Sequence, residues 1–128
     1  MSSKYQSDYQ SVLTDGMHGK KVETVIPLGV GKFHLLVQTF RDSHGLISTR
    51  ASAQKLMNSG WWDYRPYTDF HAPRLATSTA KRATEKALWS CHDLAMEAIE
   101  AVIDEAKAHQ VKVIEKEEAE KRHKENKL

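Results

Sequence analysis

Residues 32–54 read KFHLLVQTFRDSHGLISTRASAQ, and the fold turns on how they are read. Phe33, Leu35, Val37 and Thr39 alternate with His34, Leu36, Gln38 and Phe40, which is the two-residue period of an extended strand with two distinct faces. Asp42-Ser43-His44-Gly45 is turn chemistry: the aspartate can fold back on its own backbone and glycine tolerates positive φ. Beyond the turn, Ile47, Thr49, Ala51 and Ala53 share one face, with Ser48, Arg50 and Ser52 opposite. Upstream, residues 21–28 read KVETVIPL, rich in β-branched side chains, with Pro27 where a strand end permits it. Gly29-Val30-Gly31 supplies a second short turn. Three extended runs joined by two turns predict an antiparallel meander over about residues 21–55.

The flanks complete an α+β expectation. Asn58-Ser59-Gly60 breaks the pattern, and Trp61, Trp62, Tyr64, Tyr67 and Phe70 then cluster around Arg65. Pro66 and Pro73 exclude a central strand or a helix interior, so residues 61–65 read as a structured loop or a short fourth strand. Thr77-Ser78-Thr79 is a helix-start cluster, since each hydroxyl can accept from a free backbone N–H. No glycine or proline follows Pro73, which predicts one long helix over about residues 78–115. After Ile114 the chain is almost wholly charged, with Glu117/Lys121 and Glu118/Arg122 in the favourable order for helical ion pairs. Residues 1–110 therefore read as one α+β domain, and residues 111–128 as a charged helical extension or a frayed tail. Tyr5, Tyr9, Val12 and Leu13 are spaced for a short N-terminal helix.

Composition narrows the function classes. The chain has 128 residues, a single-domain length, with 40% hydrophobic and 28% charged residues. Its lone cysteine, Cys91, cannot form an internal disulfide, and the polar N-terminus has no signal-peptide pattern, so a cytoplasmic protein is expected. No run of about 18 apolar residues suggests a membrane span. The net charge of +2 hides an asymmetry: 12 basic and 7 acidic residues up to Ala87, then 7 basic and 10 acidic. A mildly basic body thus precedes a mildly acidic arm.

The long helix carries more apolar surface than one sheet needs. Leu88, Cys91, Ala95, Ile99, Val102 and Ala106 form one stripe; Trp89, Met96 and Ile103 form a second, and the combined arc spans about 200° where roughly 100° suffices. The second stripe is either covered within the chain or is an interface to a partner or a second copy.

Catalytic patterns are weak. Gly29-Val30-Gly31-Lys32 lacks the first glycine and the Ser/Thr of a P-loop. Cys91, His92 and Asp93 are consecutive, and consecutive helical residues point about 100° apart. None of the seven histidines forms an i,i+4 zincin pair, so no metal and no cofactor is expected. Asp93, Glu97, Glu100 and Asp104 read as the solvated face of the helix.

Basic residues gather near the expected helix start: Lys81, Arg82 and Lys86, with Arg65 and Arg74 close by in sequence. Cations at a helix N-terminus oppose its dipole, and a bound phosphate would remove that conflict. A helix, a three-stranded meander and a second helix opening with AKRATEKA (residues 80–87) resembles the order of double-stranded RNA-binding domains. That resemblance implies phosphate contacts by Lys81, Arg82 and Lys86, although residues 56–76 intervene where that family has a tight connection. Three strands followed by a helix is also similar to sheet-type DNA readers such as integrase arm-binding domains.

The reading that results is a non-enzymatic regulatory or inhibitory protein that binds a protein partner, either alone or as a homodimer. Trp61, Trp62, Tyr64, Arg65, Tyr67, Trp89, Met96 and Ile103 are the expected anchors. The alternative is nucleic-acid binding through Arg65, Arg74, Lys81, Arg82 and Lys86.

Overall fold

The computed structural model describes residues 9–16, 19–29, 31–42, 44–57, 59–60, 62–63, 75–82 and 84–126. The meander forms as expected: β2 (Gly19–Pro27), β3 (Phe33–Arg41) and β4 (Ile47–Leu56) pair antiparallel in succession. In the turn between β3 and β4, Asp42 Oδ1 accepts from the backbone N–H of His44 and of Leu46, and Gly45 takes φ +82°. The register Val22↔Thr39↔Thr49 and Thr24↔Val37↔Ala51 aligns every second residue of the three strands on one face. That face is the core side: Val22, Ile26, Leu35, Val37, Ile47, Ala51 and Ala53 are buried.

The sheet is wider than the meander. β1 (Ser11–Gly16) pairs antiparallel with β2, where helical spacing had predicted a short helix. The burial of residues 11–13 alternates, and the glycines at 16 and 19 close a hairpin onto β2, so pairing with a β-branched strand overrides an apolar spacing too short to stabilise a helix alone. Tyr5 lies outside the described residues. On the opposite side, β5 (Trp62–Asp63) and β6 (Ala76–Ser78) both pair with β4, at opposite ends of that strand. The strand order is β1-β2-β3-β4-β5, with β6 also on β4.

Two helices replace the single one expected over 78–115. Residues 76–78 are strand, so the helix starts later: α1 runs Glu85–Met96 and α2 runs Ile99–Asn126. Thr84 rather than the Thr77–Thr79 cluster is the N-cap, its hydroxyl accepting from Ala87 N–H at 3.1 Å. The hydroxyl cluster at Thr77–Thr79 is instead drawn onto the edge of β4, where Ala76–Ser78 pairs with Ile47–Thr49. The interruption at Glu97–Ala98 involves no glycine or proline; Ala98 N–H bonds the Ala95 carbonyl, an i→i+3 contact that tightens the chain for one turn. With a strand at Ser11–Gly16 and the short strands β5 and β6 ahead of α1, the order of the described elements differs from the RNA-binding arrangement it resembled. No helix among the described residues is long and apolar enough to cross a membrane.

The core has two parts. Leu88, Cys91 and Ala95 of α1 pack with Val22, Ile47 and Ala76. Met96, Ile99, Ile103 and Ala106 pack with Ile26, Phe33, Leu35, Val37 and Ala51. Each fully buried aliphatic side chain contributes roughly 1.5–3 kcal/mol.

Gly31, in the β2–β3 turn, has φ +56°, and a Cβ there would lie 3.2 Å from Ile114 Cδ1 and from the Phe33 ring. Gly31→Ala should therefore cost about 1–2 kcal/mol, from the left-handed backbone and the crowded helix contact together. Denaturant midpoints would read this, and an unchanged midpoint would show that the turn does not pack on α2.

Candidate functional site

His92 is fully buried at the centre of α1's contact with the sheet. Its Nε2 lies 2.7 Å from Thr24 Oγ1 on β2, and its Nδ1 lies 2.8 Å from Thr39 Oγ1 on β3. The network continues both ways. Ser11 Oγ on β1 is 2.6 Å from Thr24 Oγ1, and Thr39 bonds the Thr49 hydroxyl on β4. Thr49 in turn reaches the Cys91 carbonyl oxygen and Sγ, each at 3.4 Å. Four strands and one helix are thus joined through a single imidazole.

Donor and acceptor roles follow from the ends of this chain. A carbonyl only accepts, so Thr49 donates to Cys91. Thr39 then donates to Thr49 and accepts from Nδ1–H, which leaves Nε2 as the acceptor of the Thr24 proton. Thr24 accepts from Ser11. The assignment describes a neutral imidazole with its proton on Nδ1. Burial pushes the His92 pKa down from 6.5 to about 4, and burial likewise raises that of the Cys91 thiol. The thiol is not a ready nucleophile and the imidazole has no free nitrogen. Trp89, half-buried, meets the His92 ring in a T-shaped arrangement, with ring centroids 6.5 Å apart.

The second feature is an open cleft of about 460 Å³ between the β2–β3 turn, the end of β4 and the middle of α2. Phe33, Leu56, Met57 and Ile114 supply its apolar lining. Lys55 occupies an inward-facing position of β4, so its ammonium meets α2: it pairs with Glu117 at 3.1 Å and sits 5.5 Å from the Phe33 ring centroid. Lys32, Glu118 and Lys121 complete the lining with charges of both signs.

The anchors expected from sequence separate. Met96 and Ile103, 2% and 3% exposed, lie in the core against the sheet, so the second helical stripe is covered by the chain itself. This corrects the surplus-surface argument: the break at Glu97–Ala98 divides the apolar arc between two helices, α1 sharing in both core clusters through Leu88, Cys91 and Ala95 in one and Met96 in the other, and α2 packing in the second. Trp89 is half-buried and makes a T-shaped ring contact with His92. Trp62 belongs to β5 and pairs with Leu56 in register. Trp61, Tyr64, Arg65, Tyr67 and Arg74 lie outside the described residues. Lys81, Arg82 and Lys86 are exposed, but only Lys86 is in the first turn of α1; the other two precede its cap. Glu97, Glu100 and Asp104 are exposed and Asp93 half-exposed. No three His, Cys, Asp or Glu side chains converge as a metal site among the described residues.

Two signals for these sites were present in sequence. Thr24, Thr39 and Thr49 fall on the core face of three adjacent strands, and hydroxyls in a core require a polar partner. Lys55 follows Ala51 and Ala53 at the same parity, an inward cation that requires an acid.

The low His92 pKa makes stability depend on pH. The unfolded imidazole takes a proton below about 6.5, whereas the folded one resists until about 4. The neutral network therefore stabilises fully above pH 6.5, and roughly 3 kcal/mol is lost as pH falls through that window to 4. Unfolding free energies at pH 7 and 4.5 should show a steeper fall for the native chain than for His92→Gln. Imidazole NMR should place the titration near 4, and a midpoint above 6 would mean that the ring is open to water. Comparisons with protein-family models, with curated proteins and with solved structures find no match to this chain.

Proposed function

We propose that this chain is a small non-enzymatic regulatory or inhibitory protein that acts by binding a protein partner in the cytoplasm. The observation that carries the reading is the cleft between Phe33, Met57 and Ile114: apolar inside, and edged by charges of both signs at Lys32, Glu118 and Lys121. Such a surface suits a partner segment with one apolar anchor and polar flanks. The residue types that would most readily serve chemistry, Cys91 and His92, are instead used inside the fold. That use supports a binding role over a catalytic one.

Nucleic-acid binding is the second reading, favoured by the exposure of Lys81, Arg82 and Lys86 around the start of α1. Salt separates the two. Phosphate contacts weaken steeply between about 50 and 200 mM salt, and apolar docking does not.

Capture from a lysate of the source cell should be compared for the native chain, Met57→Glu in the cleft and Leu94→Glu on the exposed face of α1. The expected result is one protein retained by the native chain and by Leu94→Glu, insensitive to salt and nuclease, and reduced at least about tenfold by Met57→Glu. Equal capture by Met57→Glu would remove the cleft from the reading. Salt- and nuclease-sensitive capture lost on replacing Lys81 and Arg82 would replace it with the nucleic-acid reading.

A further inference from the structure

We infer that two copies of this chain associate through β1, joining their sheets edge to edge about a two-fold axis. The two sides of the sheet are built differently. On the far side, β4 carries the short strands β5 and β6, and short edge strands offer little template for pairing. On the near side, β1 pairs with β2 over six residue pairs and with no other strand among the described residues. Edge strands are ordinarily blunted by lysine, proline or a bulge. Ser11-Val-Leu-Thr-Asp-Gly16 has no lysine and no proline, and its register with β2 runs without a bulge.

The surface beside this edge is apolar. Val12 is 47% exposed and Val25 is 49% exposed, two of the four exposed large hydrophobic residues among those described. Val12 lies opposite Glu23, and Val25 is two residues further along β2, so the valines are diagonal neighbours on the sheet face turned away from the helices.

These features favour a second copy over an unrelated strand, because they match themselves. In an antiparallel β1–β1 pair centred on Val12, Val12 faces the partner's Val12, Ser11 faces the partner's Leu13 and Gln10 faces the partner's Thr14. Every pair joins residues of the same parity, so core sides stay aligned across the junction. The valines then form one apolar strip, Val25 and Val12 of one copy followed by the partner's Val12 and Val25. Charge agrees with this. Asp15 is the one charged residue of β1; its carboxylate is bonded to Lys20 Nζ at 2.7 Å, which holds its pKa below the usual value. In the paired arrangement the two Asp15 residues sit at opposite ends, about 20 Å apart. No unbalanced charge on the strand selects a charged partner, and none repels a copy.

A single strand pair is small for an interface, so association should be weak, with a dissociation constant on the order of 10–100 μM. Sedimentation of the full chain from micromolar to near-millimolar concentration should show the mass rising from 14.6 kDa towards twice that value. Val12→Lys should raise the dissociation constant at least about tenfold with unchanged circular dichroism. A cysteine pair tests the register directly: under mild oxidation Val12→Cys should link into a covalent dimer, since facing positions bring the Cβ atoms within about 5 Å. Val25→Cys, displaced from the axis, should link far more slowly, and the native Cys91 is buried in both variants. A native chain that stays monomeric at near-millimolar concentration overturns the inference. So does a dimer that Val12→Lys leaves intact, or equal linking by the two cysteine variants.

Discussion

A buried imidazole must satisfy both of its nitrogens, and His92 can do so at only one placement of α1 on the sheet. Apolar packing is permissive: an aliphatic stripe can slide or rotate by a fraction of a turn and still bury similar area. Hydrogen bonds of 2.7 and 2.8 Å to two different strands cannot. A shift of one helical residue would turn Cys91 or Asp93 toward Thr24 and Thr39 and leave hydroxyls unpaired, at about 1–3 kcal/mol for each buried group. The register of α1 is therefore set by polar geometry, and the aliphatic contacts around it supply most of the energy.

The position of α2 follows from that constraint. Once α1 is held at His92, the chain leaves it at Met96, tightens at Glu97–Ala98 and continues from Ile99 across Phe33, Leu35 and Val37. Contact between α2 and the sheet then changes character along the helix. Ile99, Ile103 and Ala106 pack on aliphatic side chains. Gln110 is fully buried, and its amide has no hydrogen-bond partner among the described residues. Ile114 meets the β2–β3 turn at Gly31, and Glu117 meets Lys55. The cleft lies where this sequence of contacts runs out, so its shape depends on interactions some twenty residues earlier in the chain.

The sheet was the most legible part of the sequence, because alternation over residues 33–41 and 47–53 has only one structural meaning at that length. The helices were less so. Their existence was plain from the lack of breakers, but the cap at Thr84 and the break at Glu97–Ala98 leave no local mark that composition reveals. The hydroxyls at residues 77–79 are the conspicuous cap, and pairing with the edge of β4, which a helix-start pattern does not contain, claims Ala76–Ser78. The same limit hid the interior site. Cys91-His92-Asp93 looked like misplaced catalytic chemistry, whereas the relevant partners of His92 are 68 and 53 residues away on β2 and β3. Met96 and Ile103 misled in the opposite direction, since a helical wheel assumes one straight axis and the chain uses two helices. Only pairwise register, which no single-chain periodicity contains, distinguishes these cases.

The acidic arm acquires a structural role from this geometry. α2 continues to Asn126, well beyond its last half-buried side chain at Glu117, and from Glu118 onward every described residue is exposed. None of that last stretch is buried among the described residues, so its helicity rests on propagation from the packed part and on side-chain pairs such as Glu117/Lys121 and Glu118/Arg122, each worth a few tenths of a kcal/mol. Glu117, Glu118 and Lys121 also line the cleft. One wall of the cleft is thus made partly from the exposed end of α2. The Lys55–Glu117 pair stands at the boundary between the packed helix and the free one, within reach of the Phe33 ring. A partner seated in the cleft would bind the helical form of this segment in preference to its frayed form. By linkage it would extend the ordered helix, and any change that frays the arm would weaken the site. The charged tail and the proposed binding surface would for that reason behave as one thermodynamic unit.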